Sequence, residues 1–137
     1  MIDMQTMSTK HAKFSLGYHM IWCPKYRRQV LKDVVEIELK RILAETCRQY
    51  HWKLQSLEIM PDHVHIFLQA NPETPSVEIV KTLKSISAIH LFNKFPKLKS
   101  RKFWGSGLWS RETYYATIGH ITEDSVRKYI EMQKTRG

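Results

Sequence analysis

From Phe14 to Cys23 the chain alternates. Phe14, Leu16, Tyr18, Met20 and Trp22 fall on one side, and Ser15, Gly17, His19, Ile21 and Cys23 on the other. A period of two predicts a strand over 14–23, ended by Pro24. Between 34 and 50 the rhythm changes to spacings of three and four through Val35, Leu39, Ile42, Leu43, Thr46, Cys47 and Tyr50, which predicts an amphipathic helix. Weaker alternation over 52–60 predicts a second strand, Pro61-Asp62 a turn, and 63–70 the most strand-like segment of the chain, so these pieces form a hairpin. Thr74-Pro75 reads as a capping hydroxyl before a proline at the first helical position. Val77, Val80, Leu83, Ile86, Ser87 and Leu91 then mark the buried stripe of a second helix, which Pro96 closes.

A Gly105-Ser106-Gly107 turn introduces a fourth strand over 109–118, and Thr122, followed by Glu123 and Asp124, caps a final helix running to about Lys134. Residues 1–12 read as a polar, poorly ordered lead-in. The order strand, helix, strand, strand, helix, strand predicts an α+β, ferredoxin-like (split βαβ) domain spanning 1–137. Four antiparallel strands lie under two helices on one face, the other face is open, and a C-terminal helix is left over.

Composition narrows the function. The 137 residues carry 22 Lys+Arg against 13 Asp+Glu, a net charge of +9, which favours a polyanionic partner, nucleic acid before an anionic membrane surface. The opening residues hold no signal-peptide core, and nowhere does an apolar run approach the ~18 residues of a membrane span. With only Cys23 and Cys47, far apart, a disulfide framework is excluded and a reducing, cytoplasmic setting is expected. Basic residues cluster twice with aromatics among them: Lys25, Tyr26, Arg27 and Arg28, and later Lys97, Lys99, Arg101 and Lys102 ahead of Phe103 and Trp104. Neutralised phosphates supply affinity and aromatics stack unpaired bases, so both runs are expected to bind DNA. The stretch 94–102 has no acidic residue and is expected to face solvent or a polyanion rather than the core.

The chemistry concentrates at Pro61-Asp62-His63-Val64-His65-Ile66. Residues i and i+2 of a strand share a face, so His63 and His65 point together onto the open side while Val64, Ile66 and Leu68 enter the core. Two imidazoles on one face suit metal ligation, but they equally suit two half-exposed strand histidines. A metal would need a third protein donor. On the final helix Tyr129 and Gln133, spaced i and i+4, share a side. An amphipathic terminal helix with Tyr129 at its border explains that spacing as well. Asp62 is turn chemistry or an orienting partner of His63, and His19 is a structural residue or a neighbour of the site.

Three segments in order, Tyr18-His19-Met20-Ile21-Trp22-Cys23-Pro24-Lys25-Tyr26-Arg27-Arg28, Pro61-Asp62-His63-Val64-His65 and Tyr129-Ile130-Glu131-Met132-Gln133, give the chain its resemblance to a known family. It resembles the single-tyrosine HUH transposases of small insertion sequences, the IS two-hundred and six-oh-five type. The resemblance implies His63, His65 and Gln133 as metal ligands and Tyr129 as the nucleophile. It further implies a homodimer with composite active sites, acting on single-stranded DNA with hairpins at element ends, and no membrane partner. A neutral amide beside two imidazoles leaves a site that favours anionic oxygen ligands and suits Mg2+ or Mn2+. Attack by a tyrosine leaves a 5′-phosphotyrosine and a free 3′-hydroxyl, which stores the bond energy for rejoining and needs no nucleotide-binding loop.

Overall fold

The structure, a computed structural model, describes residues 16–103, 107–118, 124, 127–128 and 130–132. Strand β1 spans Leu16–Pro24, helix α1 Asp33–Gln49, β2 Lys53–Met60, β3 His63–Ala70, α2 Ser76–Lys94 and β4 Trp109–Ile118. The strands form one sheet in the order β2-β3-β1-β4, with every neighbouring pair antiparallel. This is the expected ferredoxin-like α+β arrangement, with β1 and β3 as the central strands.

The pleat explains the core. Tyr18, Met20 and Trp22 of β1 and Val64, Ile66 and Leu68 of β3 alternate onto one face and are buried. There they meet Leu39, Ile42, Leu43 and Cys47 of α1 and Ile79, Val80, Leu83 and Leu91 of α2 in a single apolar cluster. Each such aliphatic side chain contributes on the order of 1.5–3 kcal/mol by leaving water.

Polar ties set how the helices sit. Glu38 of α1 is buried and bonds Arg41, and Lys94 of α2 reaches its Oε1 at 3.2 Å, so the two helices are clasped through one carboxylate. Edge strand β4 is held to α2 by Lys84, whose Nζ donates to the Ser110 carbonyl (2.8 Å) and to Thr113 Oγ1 (3.0 Å). Trp109 Nε1 donates to the buried Ser87 hydroxyl (3.0 Å), which in turn donates to the Leu83 carbonyl.

Several local expectations are corrected. Pro75 is the N-cap of α2 rather than its first helical residue, with no side-chain cap; the Thr74 carbonyl instead accepts from Tyr18 Oη at 3.0 Å. The buried face of α2 also lies slightly round from the expected stripe: Val77 is 60% exposed and Ile79 is in the core. Tyr50 also leaves the expected stripe and stacks on Trp52 (centroids 4.9 Å, 20°). The basic stretch after α2 does fold back. It coils through Pro96–Leu98 and Lys99–Phe103, with Leu98 against the core and Phe103 buried, while Lys97, Lys99, Arg101 and Lys102 stay exposed. Charge patterning mistook an amphipathic turn for a wholly solvated one. Among the described residues no helix is long and apolar enough to cross a membrane.

Residues 14–15 of the expected first strand, the lead-in 1–12, Trp104, Gly105, Ser106, Thr122, Glu123 and the two candidate site residues Tyr129 and Gln133 lie outside the described residues. Helical backbone is described at Asp124, Arg127, Lys128 and 130–132.

Candidate active site

Strand pairing builds the site across the sheet face opposite α1 and α2. On β3 that face carries His63, His65, Phe67 and Gln69. Register places Met60 opposite His63, Glu58 opposite His65 and Ser56 opposite Phe67 on β2, and Ile21 opposite His65 and His19 opposite Phe67 on β1. Across β1, Tyr114 of β4 pairs with Ile21 and Ala116 with His19. The face is open only in part. His63 and His65 are half-buried, but His19, Phe67 and Gln69 are buried. Phe67 is therefore unavailable as a stacking aromatic, whereas Tyr114 on the edge strand is 65% exposed.

The imidazoles do converge. His63 and His65 rings lie 4.8 Å apart between centroids, and His19 lies 5.6 Å from His65. Burial first, and then repulsion from His63, holds the His65 pKa below the usual histidine value. Burial, with His65 beside it, pulls His19 down to about 4. Both rings are thus neutral at pH 7, the state in which an imidazole nitrogen keeps a lone pair for a metal.

The hairpin tip aims His63. Asp62 Oδ1 lies 2.7 Å from His63 Nδ1 and Oδ2 lies 2.9 Å from Arg27. The hydrogen bond to His63 is the main cause that holds the Asp62 carboxyl below its ordinary pKa, with Arg27 assisting. Arg27 belongs to the basic turn after β1, in which Tyr26 (φ 61°) and Arg27 (φ 50°) are successive left-handed non-glycine residues. Such a conformation costs ~1–2 kcal/mol per residue and persists only where surroundings hold it. Leu31 N–H donates to the Pro61 carbonyl (2.9 Å), binding this loop to the hairpin.

Among the described residues no three His, Cys, Asp or Glu side chains are placed to share an ion. Two convergent imidazoles, one with its Nδ1 already bonded to Asp62, fit a divalent cation that takes further donors from outside this set. Of the two DNA-binding clusters, Tyr26 is 74% exposed with the Arg28 guanidinium 5.6 Å from its ring centre, and Lys97, Lys99, Arg101 and Lys102 are exposed. Phe103, expected beside them as a stacking aromatic, is a core residue instead. Sequence reasoning missed the link from Arg27 to Asp62 and the place of Tyr114. The first joins residues 35 apart and the second depends on register, which no local pattern encodes.

Fold, paired histidines and relatives agree on a class, the transposases. The family described as "Transposase IS200 like" matches residues 12–133. The ISDra2 transposase TnpA of Deinococcus radiodurans is 42% identical over 120 residues, covering 88% of this chain and 85% of that one. The transposase for insertion sequence element IS200 of Salmonella typhimurium is 29% identical over 126 residues, 92% of this chain and 82% of that one. A crystal structure from Deinococcus radiodurans R1, of a chain assigned to the transposases, superposes with a TM-score of 0.68 at 41% identity, covering 88% and 92% of the two chains. A tyrosine transposase bound to a REP hairpin shares the fold at TM-score 0.55 and 12% identity, over 83% of this chain and 61% of that one. This chain belongs to the IS200-like transposase family. It is therefore a DNA-cleaving enzyme of insertion-sequence transposition.

Proposed function

We propose that the chain cleaves and rejoins single-stranded DNA at insertion-sequence ends through a 5′-phosphotyrosine on Tyr129. The observation that carries this reading is the pair of convergent imidazoles, His63 and His65, side by side on the accessible end of the sheet face. With Gln133 they would hold Mg2+ or Mn2+. When bound, such an ion offsets phosphate charge and orients the phosphodiester for in-line displacement. The Tyr129 phenol gives up its proton and its oxygen bonds phosphorus. The bond from phosphorus to O3′ breaks, and the departing oxygen takes a proton to become a 3′-hydroxyl. Lys25, Tyr26, Arg27 and Arg28 on one side and Lys97, Lys99, Arg101 and Lys102 on the other would grip the strand, the exposed Tyr26 ring being the surface suited to an unpaired base. The REP hairpin held by the structural neighbour supports hairpin DNA as substrate, and a homodimer would let the helix bearing Tyr129 serve either protomer's histidines.

The test is incubation with labelled hairpin-containing single strands and Mg2+ or Mn2+, followed by a denaturing gel. A protein-DNA species that survives denaturation is expected, with duplex DNA inert. Tyr129→Phe should abolish that species while leaving DNA binding within about twofold. Cleavage that continues in Tyr129→Phe identifies a water-using nuclease instead, and binding with no cleavage under either metal identifies a binding module.

A further inference from the structure

We infer that Asp62, clamped by Arg27, is a positioning residue that sets which nitrogen of His63 faces the reaction. This rests on the proposed metal role of His63. Both carboxylate oxygens of Asp62 are engaged, Oδ1 with His63 Nδ1 at 2.7 Å and Oδ2 with Arg27 at 2.9 Å. A carboxylate held at both ends cannot rotate away from the ring. It accepts a hydrogen bond only, so Nδ1 of the neutral ring carries the proton and Nε2 carries the lone pair. The alternative tautomer would set a lone pair against a carboxylate oxygen and leave no lone pair on Nε2.

The clamp is built from distant chain. Arg27 comes from the left-handed turn after β1, and Asp62 from the tip of the β2–β3 hairpin. The hydrogen bond from Leu31 to the Pro61 carbonyl keeps the two segments in register. Among the described residues His65 has no carboxylate hydrogen-bonded to its ring, and Glu58 is its cross-strand neighbour. The two histidines are therefore oriented by different means, and only the first depends on the basic turn.

The test uses the full chain, first without metal. Long-range 1H–15N correlation of 15N-histidine protein at pH 8 should show His63 with the proton on Nδ1. In Asp62→Ala the ring should revert to the Nε2–H form favoured by free histidine, and Mn2+ affinity by titration calorimetry should fall 10–100-fold. Asp62→Asn, whose amide oxygen still accepts from Nδ1, should keep the tautomer and lose less affinity, which also covers the case that the alanine variant fails to fold. Arg27→Ala should weaken Mn2+ binding by a few-fold, with Arg27→Lys restoring most of it. A wild-type protein that binds no Mn2+ overturns the metal reading and this inference with it. Binding in the wild type, with tautomer and affinity unchanged in folded Asp62→Ala and Asp62→Asn, overturns the positioning role alone.

Discussion

Single residues in this chain carry conflicting demands, and Tyr26 shows how they are balanced. Its backbone sits at φ 61°, where a side chain is strained, and its ring is 74% exposed with Arg28 against it. The turn is tied at both ends, Lys25 N–H to the Leu108 carbonyl and Leu31 N–H to the Pro61 carbonyl, and leaves the ring accessible. Tyr26→Gly removes ~1–2 kcal/mol of backbone strain but gives up a cation–π contact worth ~0.5–1 kcal/mol and adds freedom to the unfolded chain. Urea unfolding should therefore shift by less than about 1 kcal/mol. Affinity for single-stranded DNA, read by fluorescence anisotropy, should fall by ~1–3 kcal/mol if the ring stacks a base. Unchanged affinity would remove Tyr26 from the DNA surface.

At the scale of elements, hydrophobic spacing located every strand and both core helices to within a residue or two, because burial of one face imposes its period on the residues. It failed where polar groups do structural work. Glu38, which hydrophobic spacing leaves unassigned, is buried on α1, bonded by Arg41 of the same helix and joined to α2 by Lys94. Those partners, Arg41 first, pull its pKa down to about 2. A carboxylate depressed in the folded state adds stability that is fully present above the unfolded value of ~4.3 and is lost as pH falls toward about 2. Wild type should thus exceed Glu38→Gln in urea midpoint at pH 7, and the gap should close between about pH 4.5 and 2. A gap constant with pH would show that the amide loses packing rather than charge.

For the whole molecule, +9 of net charge is distributed so that Glu36, Glu38 and Glu45 are paired within α1 while Arg27 and the basic run around Lys99 remain exposed. Leu98 and Phe103 anchor the second run, so its cations stand on a fixed turn and not on a floating tail. Phosphate contact by this run has a measurable signature, since each contact to a single strand adds about 0.7 to the slope of log affinity against log salt. Arg101→Ala with Lys102→Ala should reduce that slope by roughly 1.4 at unchanged thermal stability. A slope that does not move takes this turn off the DNA path.

Order of elements, the core faces of β1 and β3, the histidine pair on the opposite face and the excess of positive charge were all determined by the sequence alone, because periodicity and composition are local properties. Tertiary structure decided which partners meet. The antiparallel register set His19 beside His65 and put Tyr114 on the same face. The fold also brought Arg27 across 35 residues to the carboxylate that bonds His63. Such pairings arise from strand register and loop path, which minimise the free energy of the whole chain at once, so no window of sequence contains them.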